Sequence, residues 1–137
     1  IVLRSEGRLR SIGTVRTAPY PGFPTDAQAV LMAALLRGQG STVFVENIFE
    51  NRYRHVDELC RMGADIRVAD RVAVVTGVPC LCGASVRCTD LRGGAALLVA
   101  GAAAQGETRI GDIFHIQRGY QDPVGDLRQL GARIETG

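Results

Sequence analysis

Two stretches without charge limit the folds open to this chain. From Ala27 to Leu36 nine of ten residues are apolar, and from Gly93 to Ala104 no side chain is polar. Each run is longer than an ordinary strand and well short of the roughly twenty residues that cross a bilayer. A helix this short and apolar on all sides is expected to be buried on all sides. The same landmarks recur around both runs. Thr25-Asp26 returns as Thr89-Asp90, 64 residues on; Gln39-Gly40-Ser41-Thr42 returns as Gln105-Gly106-Glu107-Thr108, and Arg52 as Arg118, both at 66. Met62-Gly63-Ala64 returns as Leu130-Gly131-Ala132, at 68. An offset that drifts by a couple of residues between landmarks is what a duplicated supersecondary unit leaves behind.

Periodicity fills in the elements between these landmarks. Ile1 to Leu3 and Leu9 to Val15 read as short strands about a turn-like Ser5-Glu6-Gly7. A helix is expected from Asp26 to about Arg37, stopped by Gly38-Gln39-Gly40. Ser41 to Ile48 reads as a strand, with Val43, Val45 and Asn47 on one face and Phe44, Glu46 and Ile48 on the other. Tyr53 to Met62 reads as an amphipathic helix closed by Gly63, with Val56, Leu59 and Cys60 inward. In the second copy strands are expected at Ile66 to Val68 and Val72 to Val75, with a turn at Gly77-Val78-Pro79 and an extended Ala84 to Cys88. The second apolar helix, a strand at Thr108 to Ile113 and a helix at Val124 to Leu130 complete it. The chain is thus expected to be one domain of two strand-strand-helix-strand-helix units, 1–65 and 66–137, an α/β architecture whose buried helices are wrapped by sheet.

Composition removes several functions. A net charge of +2, with 5% aromatic residues and no Trp, gives neither the basic footprint nor the stacking platforms of a nucleic-acid binder. The sixteen basic residues are all Arg. No apolar run reaches about eighteen residues, so no membrane partner is expected. Cys60, Cys80, Cys82 and Cys88 include a C-x-C placed on a strand, but no second Cys or His pair at zinc spacing. Reduced thiols in a cytoplasmic protein are the expectation, with no metal. The chain begins with Ile, as a piece of a longer protein would.

The first apolar helix has an unusual entry. Pro19, Pro21 and Pro24 lie within TAPYPGFPTD, a stretch expected to be stiff and extended. It leads into Thr25-x-x-Gln28, the spacing of a capping box, which sets the Asp26 carboxylate at a helix N-terminus. Asp26 reads equally as part of a cap or as a functional carboxylate. Arginines fall where helix dipoles disfavour them: Arg92 three residues after Thr89, Arg52 and Arg54 at the start of the Tyr53 helix, Arg118 before Asp122-Pro123. Each could reach solvent or a neighbouring carboxylate; together, at equivalent places in a duplicated unit, they point to an anion site at one end of the fold. Asp26 and Asp90 would lie at that end, where a carboxylate among guanidinium groups can serve as a base for a hydroxyl.

TAPYPGFPTDAQA, NIFENRYRHVDELCRMGA, TDLRGGAALLVAG and HIQRGYQ together resemble the UDP-N-acetylglucosamine enolpyruvyl transferases (1-carboxyvinyltransferases) of peptidoglycan synthesis. The likeness runs from about Arg4 to Ile134. It implies an inverse α/β barrel-type domain in which this chain supplies two of three units of a C-terminal half, facing a first domain that is absent. It implies UDP-N-acetylglucosamine and phosphoenolpyruvate as substrates, and no cofactor. On the matching positions, Asp26 would bind the amino sugar and take the proton of its 3-hydroxyl. Asp90 would sit beside the reacting carbon, and Ile48 and Phe49 would line the uridine site. Arg52, Arg92 and Arg118 would contact phosphoenolpyruvate or the loop that closes over it. The family's acid cysteine lies on a loop of the other domain, and none of the four cysteines here matches it, so the segment alone is expected to be inactive. A stand-alone nucleotide-sugar or anion-binding module, or a shikimate-pathway enolpyruvyl transferase, are the alternatives.

Overall fold

The computed structural model describes residues 2, 4 and 7–137. The strand expected over 1–3, and most of the turn expected before Gly7, rest on residues outside that set. Helix α1 (Thr25–Leu35) is flanked by β1 (Thr14–Arg16) and β2 (Ser41–Val45), which pair in parallel. Helix α3 (Leu91–Ala103) is flanked in the same way by β5 (Ser85–Arg87) and β6 (Arg109–Gly111), also parallel. Between them run α2 (Val56–Arg61) and the hairpin of β3 (Asp65–Ala69) and β4 (Val72–Thr76). The hairpin extends the first sheet to the order β1-β2-β4-β3, with β2 and β4 antiparallel. The chain ends with the short α4 (Phe114–Gln117) and α5 (Pro123–Gln129).

The recurring landmarks share their geometry. Gly40 and Gly106 both take left-handed φ near +87°, and the glutamine before each bridges a parallel segment, Gln39 to Arg10 and Gln105 to Cys82. Gly63 and Gly131 end α2 and α5 with φ of 87° and 95°. In each case the next amide reaches back five residues, Ala64 N to Leu59 O and Ala132 N to Leu127 O, which closes the last helical turn.

The core lies between the helices and the sheets. Met32 of α1, Leu36 at its C-terminal cap, Phe44 of β2, Leu59 of α2, Val75 of β4 and Leu97 of α3 are all fully buried. Each such side chain contributes about 1.5–3 kcal/mol by leaving water. Helices α1 and α3 meet through Ala29, Ala33 and Ala96, small enough to bring the two backbones close. In α3 two interior glycines answer to neighbours. A Cβ on Gly93 would stand 2.8 Å from His55 Cβ, and one on Gly94 would stand 2.6 Å from Ile116 Cγ1.

Several expectations need correction. Neither apolar helix is buried all round: Val30, Leu31, Leu98 and Val99 are half-buried, and Ala34 and Ala102 are exposed. An apolar groove of about 240 Å³ remains between α1, α3 and α5, lined by Val30, Leu98, Val99 and Leu127 among others. The proline stretch is a turn, not an extended run. Ala18 N donates to Phe23 O and Gly22 N to Pro19 O, and the Tyr20–Pro21 peptide is cis. Gly22 permits this fold-back, since a Cβ there would lie 2.5 Å from Ala18 Cβ. Pro24 keeps an extended backbone, immediately before α1.

The capping box does not form either: α1 has no side-chain cap, and Thr25 and Gln28 both donate to Glu46 instead. In the second copy the cap belongs to Asp90, not Thr89. The stretch Arg52–His55 is a turn ahead of α2, and α4 stands where no element was expected. Cys80 and Cys82 lie outside the named strands, and all four cysteines are free. Among the described residues no helix is long and apolar enough to cross a membrane, and no three His, Cys, Asp or Glu gather into a metal site.

Candidate functional site

Asp26 stands in the first turn of α1, its side chain 58% exposed. Since Pro24 occupies the cap position, the carboxylate is free of the backbone and reaches outward. Arg52 Nη2 donates to Asp26 Oδ1 and Arg92 Nη2 to Asp26 Oδ2, both at 2.7 Å. The three residues come from different segments: the start of α1, the turn before α2 and the first turn of α3. The Arg92 hydrogen bond and charge, with those of Arg52, outweigh desolvation and hold the Asp26 carboxyl below its usual range. The same bond raises Arg92. Asp26 therefore supplies the partner that offsets an arginine at the N-terminus of α3. Arg52 also lies over the Phe49 ring, 5.1 Å from its centroid, a cation–π contact.

Asp90 serves the backbone. It accepts from Arg92 N and Gly93 N, each at 2.9 Å, and from the Thr89 hydroxyl at 3.1 Å. Burial pushes its carboxyl up, and the Gly93, Thr89 and Arg92 hydrogen bonds more than compensate, leaving it below the usual value. His55 lies under Gly93, 1% exposed. Burial drives its pKa down to about 4, against the pull of Asp90, so its ring is neutral at neutral pH.

Asp26, Arg52, Arg92, Asp90 and Phe49 are thus brought to one end of the fold, with Ile48 beside Phe49. Ile48 and Phe49 are 38% and 50% exposed. Arg118 does not join the clamp. It follows α4 at that helix's C-terminal cap and is exposed, so its charge complements a dipole instead of opposing one. Its neighbour Gly119 packs so tightly on Leu91 that a Cβ would come within 2.5 Å of Leu91 Cδ2. The 118–120 segment therefore borders the start of α3.

The sequence pattern missed the polar layer beneath. Glu46, 1% exposed, accepts four hydrogen bonds: from Thr25 Oγ1 and Gln28 Nε2 on one oxygen, and from Ile48 N and Phe49 N on the other. Its alternation with Phe44 on the buried face of β2 was the available clue.

The fold is found in known proteins. The enolpyruvyl transferase NikO from Streptomyces tendae superposes with a TM-score of 0.80 at 35% identity, over 92% of this chain and 30% of NikO. An EPSP synthase from Acinetobacter baumannii shares the fold at a TM-score of 0.61 and 21% identity, over 82% of this chain and 26% of its own. The architecture is therefore that of an enolpyruvyl transferase.

The EPSP synthase (3-phosphoshikimate 1-carboxyvinyltransferase) family model matches residues 2–127, and the chain belongs to that family. Within it, a UDP-N-acetylglucosamine 1-carboxyvinyltransferase from Desulfofundulus thermocisternus is 57% identical over 96% of this chain and 54% of its own length. One from Carboxydothermus hydrogenoformans is 53% identical over 98% of this chain and 32% of its own. The chain thus spans between about a third and about half of these relatives, and the resemblance read from its motifs is met by their names.

Proposed function

We propose that this chain is the C-terminal part of a UDP-N-acetylglucosamine 1-carboxyvinyltransferase. The reaction moves the enolpyruvyl group of phosphoenolpyruvate to the 3-hydroxyl of the amino sugar and releases phosphate, in peptidoglycan synthesis. The observation that carries the reading is the Asp26 carboxylate held between Arg52 and Arg92. An ionised carboxylate with open lone pairs accepts the hydroxyl proton as the sugar oxygen adds to C2 of phosphoenolpyruvate, when that proton has become acidic. The acid that protonates C3 comes from the domain absent here. Loss of a C3 proton and of phosphate then restores the double bond. Arg52 and Arg92 each give Asp26 one N–H and keep further donors for the phosphate and carboxylate of phosphoenolpyruvate. Arg118 approaches the same anion from beside α3, Asp90 fixes the first turn of α3 next to the reacting carbon, and Ile48 and Phe49 offer an apolar wall to the uridine.

The fold reading goes with it. The two parallel strand-helix-strand pieces and their matched glycine turns support a single domain of two repeats, 1–65 and 66–137, within an inverse α/β barrel. The rest of the enzyme, with its reactive cysteine loop, is the partner, and the cytoplasm, where both substrates are made, is the compartment. The family's own description raises the shikimate-type reading, and acceptor choice separates the two. The complete enzyme is expected to release phosphate from phosphoenolpyruvate with UDP-N-acetylglucosamine and not with 3-phosphoshikimate; the reverse preference overturns the assignment. The segment alone is expected to release none. Calorimetric titration of the segment with UDP-N-acetylglucosamine tests the binding-module alternative, which requires affinity unaided.

A further inference from the structure

Beneath the Asp26 clamp lies a buried polar knot centred on Glu46. We propose that Glu46 is a positioning residue for the transfer assigned above: its carboxylate fixes the start of α1, and with it Asp26, against the 47–53 loop that carries Phe49 and Arg52. The kinetic consequence rests on the functional reading; the structural one rests on geometry alone.

Glu46 Oε2 accepts from Thr25 Oγ1 and Gln28 Nε2, each at 2.9 Å, and Oε1 accepts from Ile48 N at 2.8 Å and Phe49 N at 3.0 Å. Thr25 directly precedes Asp26, and Phe49 supports the Arg52 guanidinium. Gln28 also donates to Tyr53 Oη at 3.4 Å, and Tyr53, the residue after Arg52, reaches the carbonyls of Phe44 and Arg71, both at 3.2 Å. On the other side the Thr17 hydroxyl accepts from Asn47 N at 2.8 Å. Thr25, Asn47 and Tyr53 thus each adjoin a residue of the site.

A buried carboxylate is a poor device for stability, because desolvation opposes its charge. Thr42 and Phe44 are buried on β2, which ends just before Glu46, and an apolar side chain would pack beside them. What the carboxylate adds is direction. Its four donors belong to two segments, the start of α1 and the 48–49 loop, which no backbone hydrogen bond joins among the described residues. Glu46 is the side chain that sets the distance between them, and that distance is the one across which Arg52 meets Asp26. A misplacement of about 1 Å in such a pair costs on the order of a hundredfold in rate.

The test uses the complete enzyme. Glu46→Gln replaces one acceptor oxygen of the carboxylate with an NH2 donor, while the exchange Gln28→Glu with Glu46→Gln gives that donor a carboxylate to face and leaves the remaining oxygen to Ile48 N and Phe49 N. Glu46→Gln is expected to lower kcat at least about tenfold with KM for UDP-N-acetylglucosamine within about threefold, and the exchange to restore kcat to within about threefold. The crystal structure of the Glu46→Gln enzyme is expected to show the Arg52–Asp26 pair opened past about 4 Å. Should Glu46→Gln fail to fold, Thr25→Val carries the test: it is expected to lower kcat by about three- to tenfold, with Thr25→Ser restoring it. Parental kcat in Glu46→Gln or Thr25→Val, a loss that the exchange leaves unrepaired, or an Arg52–Asp26 pair still at 2.7 Å in Glu46→Gln overturns the proposal. An unsubstituted enzyme without transferase activity removes the functional reading instead, and the crystallographic distance then decides the positioning claim.

Discussion

Three glycines within α3 give opposite answers to one substitution. By helix propensity alone, Gly→Ala at an interior position stabilises by about 1 kcal/mol. At Gly101 the new Cβ would lie 3.4 Å from Thr108 Cγ2, an ordinary contact, so Gly101→Ala is expected to stabilise by about 0.5–1 kcal/mol. At Gly93 it would meet His55 Cβ at 2.8 Å, an atom fixed to the backbone of a buried residue that cannot swing away. At Gly94 it would meet Ile116 Cγ1 at 2.6 Å and Cys88 Sγ at 3.0 Å, and Ile116 is itself buried. Forcing an extra methyl into such a place costs about 1–3 kcal/mol, which outweighs the propensity gain and leaves Gly93→Ala and Gly94→Ala destabilising by up to about 2 kcal/mol. Gly93→Ala is also expected to lower activity, because it pushes the first turn of α3, with Arg92, off the 52–55 turn. Urea unfolding of the complete protein and its three variants reads the signs. Stabilisation by all three substitutions would refute the close approach of α3 to His55 and Ile116.

Two further outcomes separate structure from chemistry. Asp90→Ala is expected to cost about 1–2 kcal/mol in urea unfolding by removing the cap of α3, whereas Asp90→Asn keeps the cap and nearly all the stability; an activity lost in Asp90→Asn at parental stability assigns the charge to the reaction. His55 is neutral in the fold with its pKa near 4, while the unfolded chain takes up that proton near 6.5. Between those values the unfolded state binds more protons, so stability falls as pH drops through the window, by up to about 3 kcal/mol. His55→Gln is expected to flatten that part of the curve, measured by urea unfolding from pH 7 to 4.5, and parallel curves would show that His55 is not held neutral.

The order of elements was legible in the sequence because periodicity and glycine stops are local. The two apolar runs, the alternation of β2 and the glycines after α2 and α5 each announce themselves within a few residues. The errors came where a distant partner decides. Thr25 and Gln28 have capping-box spacing, yet both turn to Glu46, twenty-one and eighteen residues away, which satisfies a buried carboxylate better than a helix end that water can reach. The burial of α1 was overestimated for the same reason, since composition says how apolar a helix is but not how much of it this chain covers. At the site, the excess of arginine near helix starts led to the end of the fold where Asp26, Arg52 and Arg92 meet, for a reason only half right. Arg92 is at a helix start and is met by Asp26, Arg52 is in a turn, and Arg118 ends a short helix that its sequence did not signal.

The central claim is that Asp26, held by Arg52 and Arg92, is the base of an enolpyruvyl transfer. Asp26→Asn keeps size and one acceptor oxygen while removing the charge, and sets an NH2 group against one of the two arginines. In the complete enzyme, phosphate release from phosphoenolpyruvate and UDP-N-acetylglucosamine is expected to lose on the order of 10²–10⁴ in kcat, with KM for the nucleotide sugar changed by only about a few-fold. A kcat within about threefold of the parent's, at parental stability, would contradict the account.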